Sequence, residues 1–209
     1  MQFADLDAVT VDAYGTLVVL ADPVPALREG LRALGVERDA EAVAHAFAKE
    51  SAYYTERSFE GRDEESLFRL RRDCAAIILD ELAAEDLEPE AFVERFVAAL
   101  RFELLPGAAR ALVALRRRGL ALAVVSNWDY GLTERLQGLG LGDVAVVTSA
   151  EAGAPKPEPA AFLRALEVLA VRPERTLHVG DSEADEAGAR AAGMHFAPAP
   201  LAAAVEALV

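Results

Sequence analysis

Ala8-Val9-Thr10-Val11-Asp12-Ala13-Tyr14-Gly15-Thr16 is the stretch on which the fold turns. A short β-branched run stops at an aspartate and runs into a glycine, which predicts a buried strand ending in a polar loop. The same grammar recurs at 120–125 before Ser126-Asn127, at 144–148 before Ser149, and at 176–179 before Gly180-Asp181. Helical patterns separate these runs. Leu112 and Leu115 are closed by Arg116-Arg117-Arg118 and Gly119, cations and a glycine that suit a helix C-terminus, while Phe162, Leu166 and Leu169 recur at helical spacing. Strands alternating with helices predict an α/β fold with a parallel sheet covered on both faces, whose ligand site lies outside the carboxyl ends of its strands. All four polar loops then share one edge.

Working outward, residues 22–100 show only helical periodicity. Leu27, Leu31 and Leu34 make one stripe, Leu67, Leu70, Cys74, Ile77 and Ile78 a second, and Phe92, Phe96 and Leu100 a third. This reads as an all-helical insert, bounded by Asp22-Pro23 and Leu105-Pro106-Gly107, that would make a lid beside the catalytic edge. The alanine-rich end, 197–209, reads as a last loop and helix.

Composition narrows the partners. The 209 residues include 35 acidic and 21 basic side chains, a net charge of −14, with the cations scattered instead of clustered, so nucleic acid is not expected. No apolar run approaches the roughly 20 residues of a membrane span. The one cysteine, Cys74, cannot close an intramolecular disulfide, and the first residues lack a basic segment followed by an apolar one. A cytoplasmic protein acting on a small molecule is the expectation, with the oligomeric state open.

The chemistry lies in the polar loops. Asp12, closing a strand before Gly15-Thr16, is placed either as a nucleophile with loop N–H groups turned toward its target or as a simple Asx-turn. Ser126 follows the second strand, Lys156 sits in Pro155-Lys156-Pro157, and Asp181 and Asp185 follow the fourth. A hydroxyl and an ammonium can hold an anionic substrate, while Asp12 with Asp181 can offer hard oxygen ligands to Mg2+. Lys156 is one of only two lysines. His45, His178 and His195 are too dispersed for a zinc motif, and His178 reads as a satisfied core or edge histidine.

With these residues in view, the chain resembles the haloacid dehalogenase-like hydrolase superfamily. Val11-Asp12-Ala13-Tyr14-Gly15-Thr16-Leu17 looks like its first motif and Val124-Val125-Ser126-Asn127 its second. Lys156-Pro157-Glu158-Pro159 looks like the third, and Val179-Gly180-Asp181-Ser182-Glu183-Ala184-Asp185 the fourth. The resemblance implies a Rossmann-like catalytic core from 1–17 and 101–209, a helical cap at 18–100, and a covalent intermediate on Asp12. It further implies that Ser126 and Lys156 hold the transferring group, with Tyr14, Gly15, Thr16 and Asn127 around the substrate. Asp12, the backbone carbonyl of Tyr14, Asp181 and Asp185 would serve Mg2+.

One position departs. The phosphatases of this family carry a second aspartate two places after the nucleophile, as the acid that protonates the leaving alcohol, and this chain has Tyr14. Phenols titrate near pH 10 and shuttle protons poorly at neutrality, and general acid catalysis is worth roughly 10² to 10⁴-fold. The first motif therefore also resembles L-2-haloacid dehalogenases, which displace halide without metal. Against that, Asp181 stands where those enzymes lack an acid, and Phe162 stands where they carry a tyrosine. Asp129 and Glu183 are alternative proton donors. A Mg2+-dependent phosphatase acting on a small phosphorylated metabolite is the leading expectation. A dehalogenase and a catalytically idle phospholigand-binding relative are the alternatives.

Overall fold

A computed structural model describes residues 5–208. The chain divides into two compact units, one comprising the chain up to Val19 and from Glu103 onward, the other Leu20–Phe102.

The first unit is built on β1 (Ala8–Val11), β4 (Ala121–Ser126), β5 (Ala145–Thr148), β6 (Thr176–Gly180) and β7 (His195–Pro198), all parallel in the order β5-β4-β1-β6-β7. β1 is buried at every position, as a central strand covered on both faces must be. Its neighbours lie on opposite sides, Val11 pairing with Val124 of β4 and with Val179 of β6. That register carries Asp12, Ser126 and Asp181 off the same end of the sheet, where the strand order reverses and an α/β sheet opens its binding crevice.

Helices α5 (Ala108–Arg117), α6 (Leu132–Gly138), α7 (Ser149–Ala152), α8 (Ala160–Leu169), α9 (Glu183–Ala191) and α10 (Leu201–Glu206) connect and cover these strands. Ala161, Phe162, Ala165 and Leu166 of α8 form one cluster with Ala123 and Val125 of β4, Val147 of β5 and Ala189 of α9. At the end of the chain the expected last helix is α10, and the correction is that residues 195–198 form an edge strand before it. Val209, and residues 1–4 on which the reading of the first segment rests, lie outside the described residues.

The short strands β2 (Val18–Leu20) and β3 (Phe102–Leu104) pair as a separate two-stranded sheet, which helical periodicity gave no means of finding.

The second unit is helical: α1 (Val24–Arg32), α2 (Ala40–Arg57), α3 (Glu64–Glu81) and α4 (Pro89–Ala99). Leu27 and Leu31, Leu70, Cys74 and Ile78, and Phe92 and Phe96 meet in one core, with Leu34 and Leu100 half-buried at its margin. Asp39 caps α2 by accepting from the Ala42 N–H, and Asp63 with Ser66 forms a capping box on α3. Among the described residues, no helix is long and apolar enough to cross a membrane.

A buried acid interrupts this apolar interior. Glu50 of α2 is 3% exposed, and burial drives its carboxyl up to about 7 against the opposing hydrogen bonds of Cys74 and Ser51. The folded state therefore holds the Glu50 proton more tightly than the unfolded chain does. The associated stability, about 3 kcal/mol or slightly more, is fully present below about pH 4.5 and lost as pH rises through about 7. Glu50→Gln should match wild type in urea unfolding at pH 4.5 and exceed it by about 1–3 kcal/mol at pH 8. Equal stabilities at pH 8 would contradict the burial cost.

Candidate active site

Asp12 follows β1 directly, and its N–H donates to the Val179 carbonyl of β6 at 2.9 Å, which extends the strand pairing to the carboxylate itself. Asp12 is 5% exposed. The Ser126 hydroxyl donates to Asp12 Oδ1 at 2.9 Å, and Lys156 Nζ donates to the same oxygen at 2.6 Å. Both contacts fall on Oδ1, which leaves Oδ2 to a ligand.

Lys156 is 7% exposed, and each proton of its ammonium has an acceptor: Asp12 Oδ1, Asp185 Oδ1 at 2.5 Å and the Val125 carbonyl at 3.4 Å. Burial disfavours the charge, but the two carboxylates outweigh it and hold the lysine pKa above its ordinary value. The backbone of Lys156 is held as firmly. Its N–H donates to Asn127 Oδ1 at 2.6 Å and its carbonyl accepts from Asn127 Nδ2 at 3.2 Å. Asn127, expected among the substrate contacts, joins the loop after β4 to the lysine loop through its side-chain amide.

Asp185 is fully buried at N3 of α9, closing a capping box with Ser182. Oδ1 accepts from Lys156 and from His178 Nε2 at 3.1 Å, and Oδ2 accepts from the Ser182 hydroxyl at 2.5 Å and N–H at 3.1 Å. Burial alone would raise its pKa, but the His178 hydrogen bond and the Lys156 charge hold the carboxyl well below the usual range. Both oxygens are engaged and Asp185 anchors Lys156, while it also offers an oxygen to the group with Asp12 and Asp181 that could hold a metal ion.

Asp181 is different. It is exposed, and its pKa is raised by partial burial and by the charges of Asp12 and Asp185. Oxygens of Asp12, Asp181 and Asp185 lie within 4.8 Å of one another. Three carboxylates face one ammonium, and a divalent cation suits such a set of hard oxygens. The donors fit Mg2+: Asp12 and Asp181 have oxygen to spare, and the hydroxyl of Thr16, in the loop that follows Asp12, is buried without a hydrogen-bond partner.

The loop after β1 is a closed turn. Gly15 N–H donates to the Val18 carbonyl at 2.9 Å, and Thr16 and Leu17 N–H donate to the Ala13 carbonyl at 3.4 and 2.8 Å. The Gly15 and Thr16 amides, in the loop expected to turn N–H groups toward the substrate, are used here to close the turn. Gly15 is needed for another reason, since its φ is +80° and a Cβ there would stand 2.0 Å from Asp181 Oδ2. Tyr14 is half exposed. Of the alternative proton donors, Asp129 is buried and accepts from Gly131 N–H at 2.7 Å, while Glu183 is exposed in the first turn of α9. His45 lies in the helical unit near Glu81, and His195 Nε2 donates to the Glu174 carbonyl at 3.0 Å.

A carboxylate held at the carboxyl end of a parallel sheet, with an ammonium and a hydroxyl on one oxygen, suits the aspartate-centred hydrolases of α/β fold. The chain belongs to the haloacid dehalogenase-like hydrolases, whose family profile matches residues 6–193. It is similar to the cattle (Bos taurus) haloacid dehalogenase-like hydrolase domain-containing protein 3, 43% identical over 124 residues that cover 56% of this chain and 49% of the relative. It is also similar to a phosphoserine phosphatase of Thermus thermophilus, 43% identical over 98 residues, 45% of this chain and 39% of that one. The chain thus spans about half, or less, of the length of these curated relatives. Among solved structures, a 2-haloacid dehalogenase from Pseudomonas syringae superposes with a TM-score of 0.63 at 26% identity, covering 91% of this chain and 85% of that one.

Gly15→Ala and Gly119→Ala test the close approach to Asp181, because Gly119 has a similar φ of +78° with open space around it. Both substitutions should cost about 1–2 kcal/mol of stability from backbone strain. A rise in melting temperature on adding Mg2+ is the expected outcome for wild type and Gly119→Ala, and its absence the expected outcome for Gly15→Ala, where the Asp181 carboxylate would be displaced.

Proposed function

We propose that this chain is a Mg2+-dependent phosphohydrolase of small phosphorylated metabolites, with Asp12 as nucleophile. The observation that carries the reading is the position of Asp181, a carboxylate whose pKa is raised beside Asp12 and Asp185. Such crowding favours a bound cation, and a cation at this edge favours a phosphoryl substrate over a haloacid. The phosphatase named among the relatives supports the same choice. The helical unit is the proposed cap.

Asp12 and Asp181 would hold the ion, with the backbone carbonyl of Tyr14, while Asp185 orients Lys156. Bound Mg2+ supplies positive charge that offsets the carboxylates and the phosphoryl oxygens. The chain's own residues do the rest. The Asp12 carboxylate attacks phosphorus, the bond from phosphorus to the leaving oxygen breaks, and the leaving group departs with the electron pair. Lys156 and Ser126, which in the resting site share Asp12 Oδ1, are placed to turn their donors to the phosphoryl oxygens. Water then attacks the aspartyl phosphate at phosphorus, releasing phosphate and restoring the carboxylate.

The leaving group still needs a proton, and Tyr14 is poorly matched to give one. Leaving groups stable as anions, such as the carboxylate of an acyl phosphate or the oxide of an aryl phosphate, need it least. Acyl and aryl phosphates should therefore turn over at least about 10-fold faster than alkyl phosphates, and Tyr14→Asp should raise the alkyl rate. A substrate panel with and without Mg2+, following phosphate and halide together, is the decisive experiment. Mg2+-dependent phosphate release that vanishes in Asp12→Asn is the expected result. Halide release that persists in chelator would establish the dehalogenase instead, and a thermal shift with beryllofluoride and Mg2+ but no turnover would establish a binding protein.

A further inference from the structure

Beneath the charged site runs a buried polar chain that the proposed reaction does not use. Thr10 of β1 and His178 of β6 are cross-strand partners, and both are fully buried. Thr10 Oγ1 lies 2.9 Å from His178 Nδ1, and His178 Nε2 lies 3.1 Å from Asp185 Oδ1. An ionised Asp185 can only accept, so Nε2 carries the hydrogen and Nδ1 accepts from the threonine hydroxyl. Burial lowers the pKa of His178, which keeps this single neutral tautomer. The ring itself is boxed in. Phe162 meets it edge-on at 4.9 Å between centroids and 90° between planes, and Phe162 is in turn seated over Gly188, where a Cβ would stand 2.3 Å from its ring.

We propose that His178 is a positioning residue, which fixes Asp185 Oδ1 so that Lys156 is clamped between Asp185 and Asp12 at the reacting carboxylate. The alternative is a histidine that merely fills the core. Three features favour positioning. The oxygen that His178 contacts is the one that accepts from Lys156, at 2.5 Å. The other Asp185 oxygen is already used by Ser182, so His178 decides how the first is aimed. Thr10 on Nδ1 fixes the tautomer and the angle from which Nε2 meets the Asp185 carboxylate.

The catalytic consequence rests on the hydrolase reading above; the geometric one does not, and the test separates them. Lys49, exposed on α2, and Lys156 are the only lysines, so protein carrying 15N-lysine offers at most two side-chain ammonium signals and Lys49 serves as the internal reference. Three variants are compared. Gln places an amide nitrogen at the same number of bonds from Cβ as Nε2, Asn places one at the Nδ1 position, and Leu places none. In wild type the Lys156 ammonium should be protected from exchange, and His178→Gln should keep that protection within about 3-fold. His178→Asn and His178→Leu should lose about 10- to 100-fold, the equilibrium worth of one hydrogen bond to a charged group. The kcat on a phosphate ester should fall in parallel, with KM changed less than about 3-fold, and His178→Gln should recover most of it.

Unchanged Lys156 protection in His178→Leu, or equal behaviour of His178→Gln and His178→Asn, would overturn the proposal. If His178→Leu does not fold, the Gln and Asn pair decides alone. A wild type that hydrolyses no phosphate ester would remove the function proposed above while leaving the ammonium signal to settle the role of His178.

Discussion

An ammonium taken out of water costs several kcal/mol unless anions and acceptors take water's place. Lys156 meets that requirement with Asp12, Asp185 and the Val125 carbonyl, contributed by three different segments of the chain. Each carboxylate would itself be costly to bury without the lysine, so the three charges are stable only together. The loops that bear them are aligned by the sheet, and the ion cluster holds those loops in turn. Ser126 and Asn127 extend the arrangement into β4, one through the Asp12 carboxylate and the other through the Lys156 backbone.

The sheet register makes this possible. β1 is paired on both sides, and the residues just beyond Val11, Val124 and Val179 are those whose side chains meet at the site. Rigid parallel strands set the positions of the functional groups, and the turns beyond them aim those groups. This division explains why the turn after β1 uses its own amides for closure. A turn that presents a carboxylate must itself be well fixed, and Gly15 supplies the conformation that fixes it.

Much of the architecture was legible in the residues. Each of the four runs read as strands is a strand, because β-branched segments ending in polar residues leave few other options. Asp12, Ser126, Lys156, Asp181 and Asp185 are brought to one edge, as strand-end positions in a parallel sheet must be. What escaped reading has identifiable physical causes. β2 and β3 have three residues each, too few for a period to show, and β7 is a partly exposed edge ending in Pro198. α2 is alanine-rich, so its buried face is marked by Val43 and Ala46 without a leucine stripe. The duties of Asn127 and Asp185, and the link from His178 to Lys156, depend on which partner each polar group finds in three dimensions. Spacing identifies donors and acceptors but does not pair them.

The nearness of Gly15 to Asp181 also bears on how such a chain can change over generations. A side chain at 15 would take the space that the Asp181 carboxylate fills, whereas a smaller residue at 181 would leave that space open. Drift is therefore biased: losing the acid first removes one of the two costs of replacing the glycine, and the left-handed backbone at 15 keeps the other. A descendant that loses the acid first could change residue 15 at the cost of backbone strain alone, and the way back would then require both reversals. The contact works as a ratchet on ancestry, more readily passed in one direction than the other.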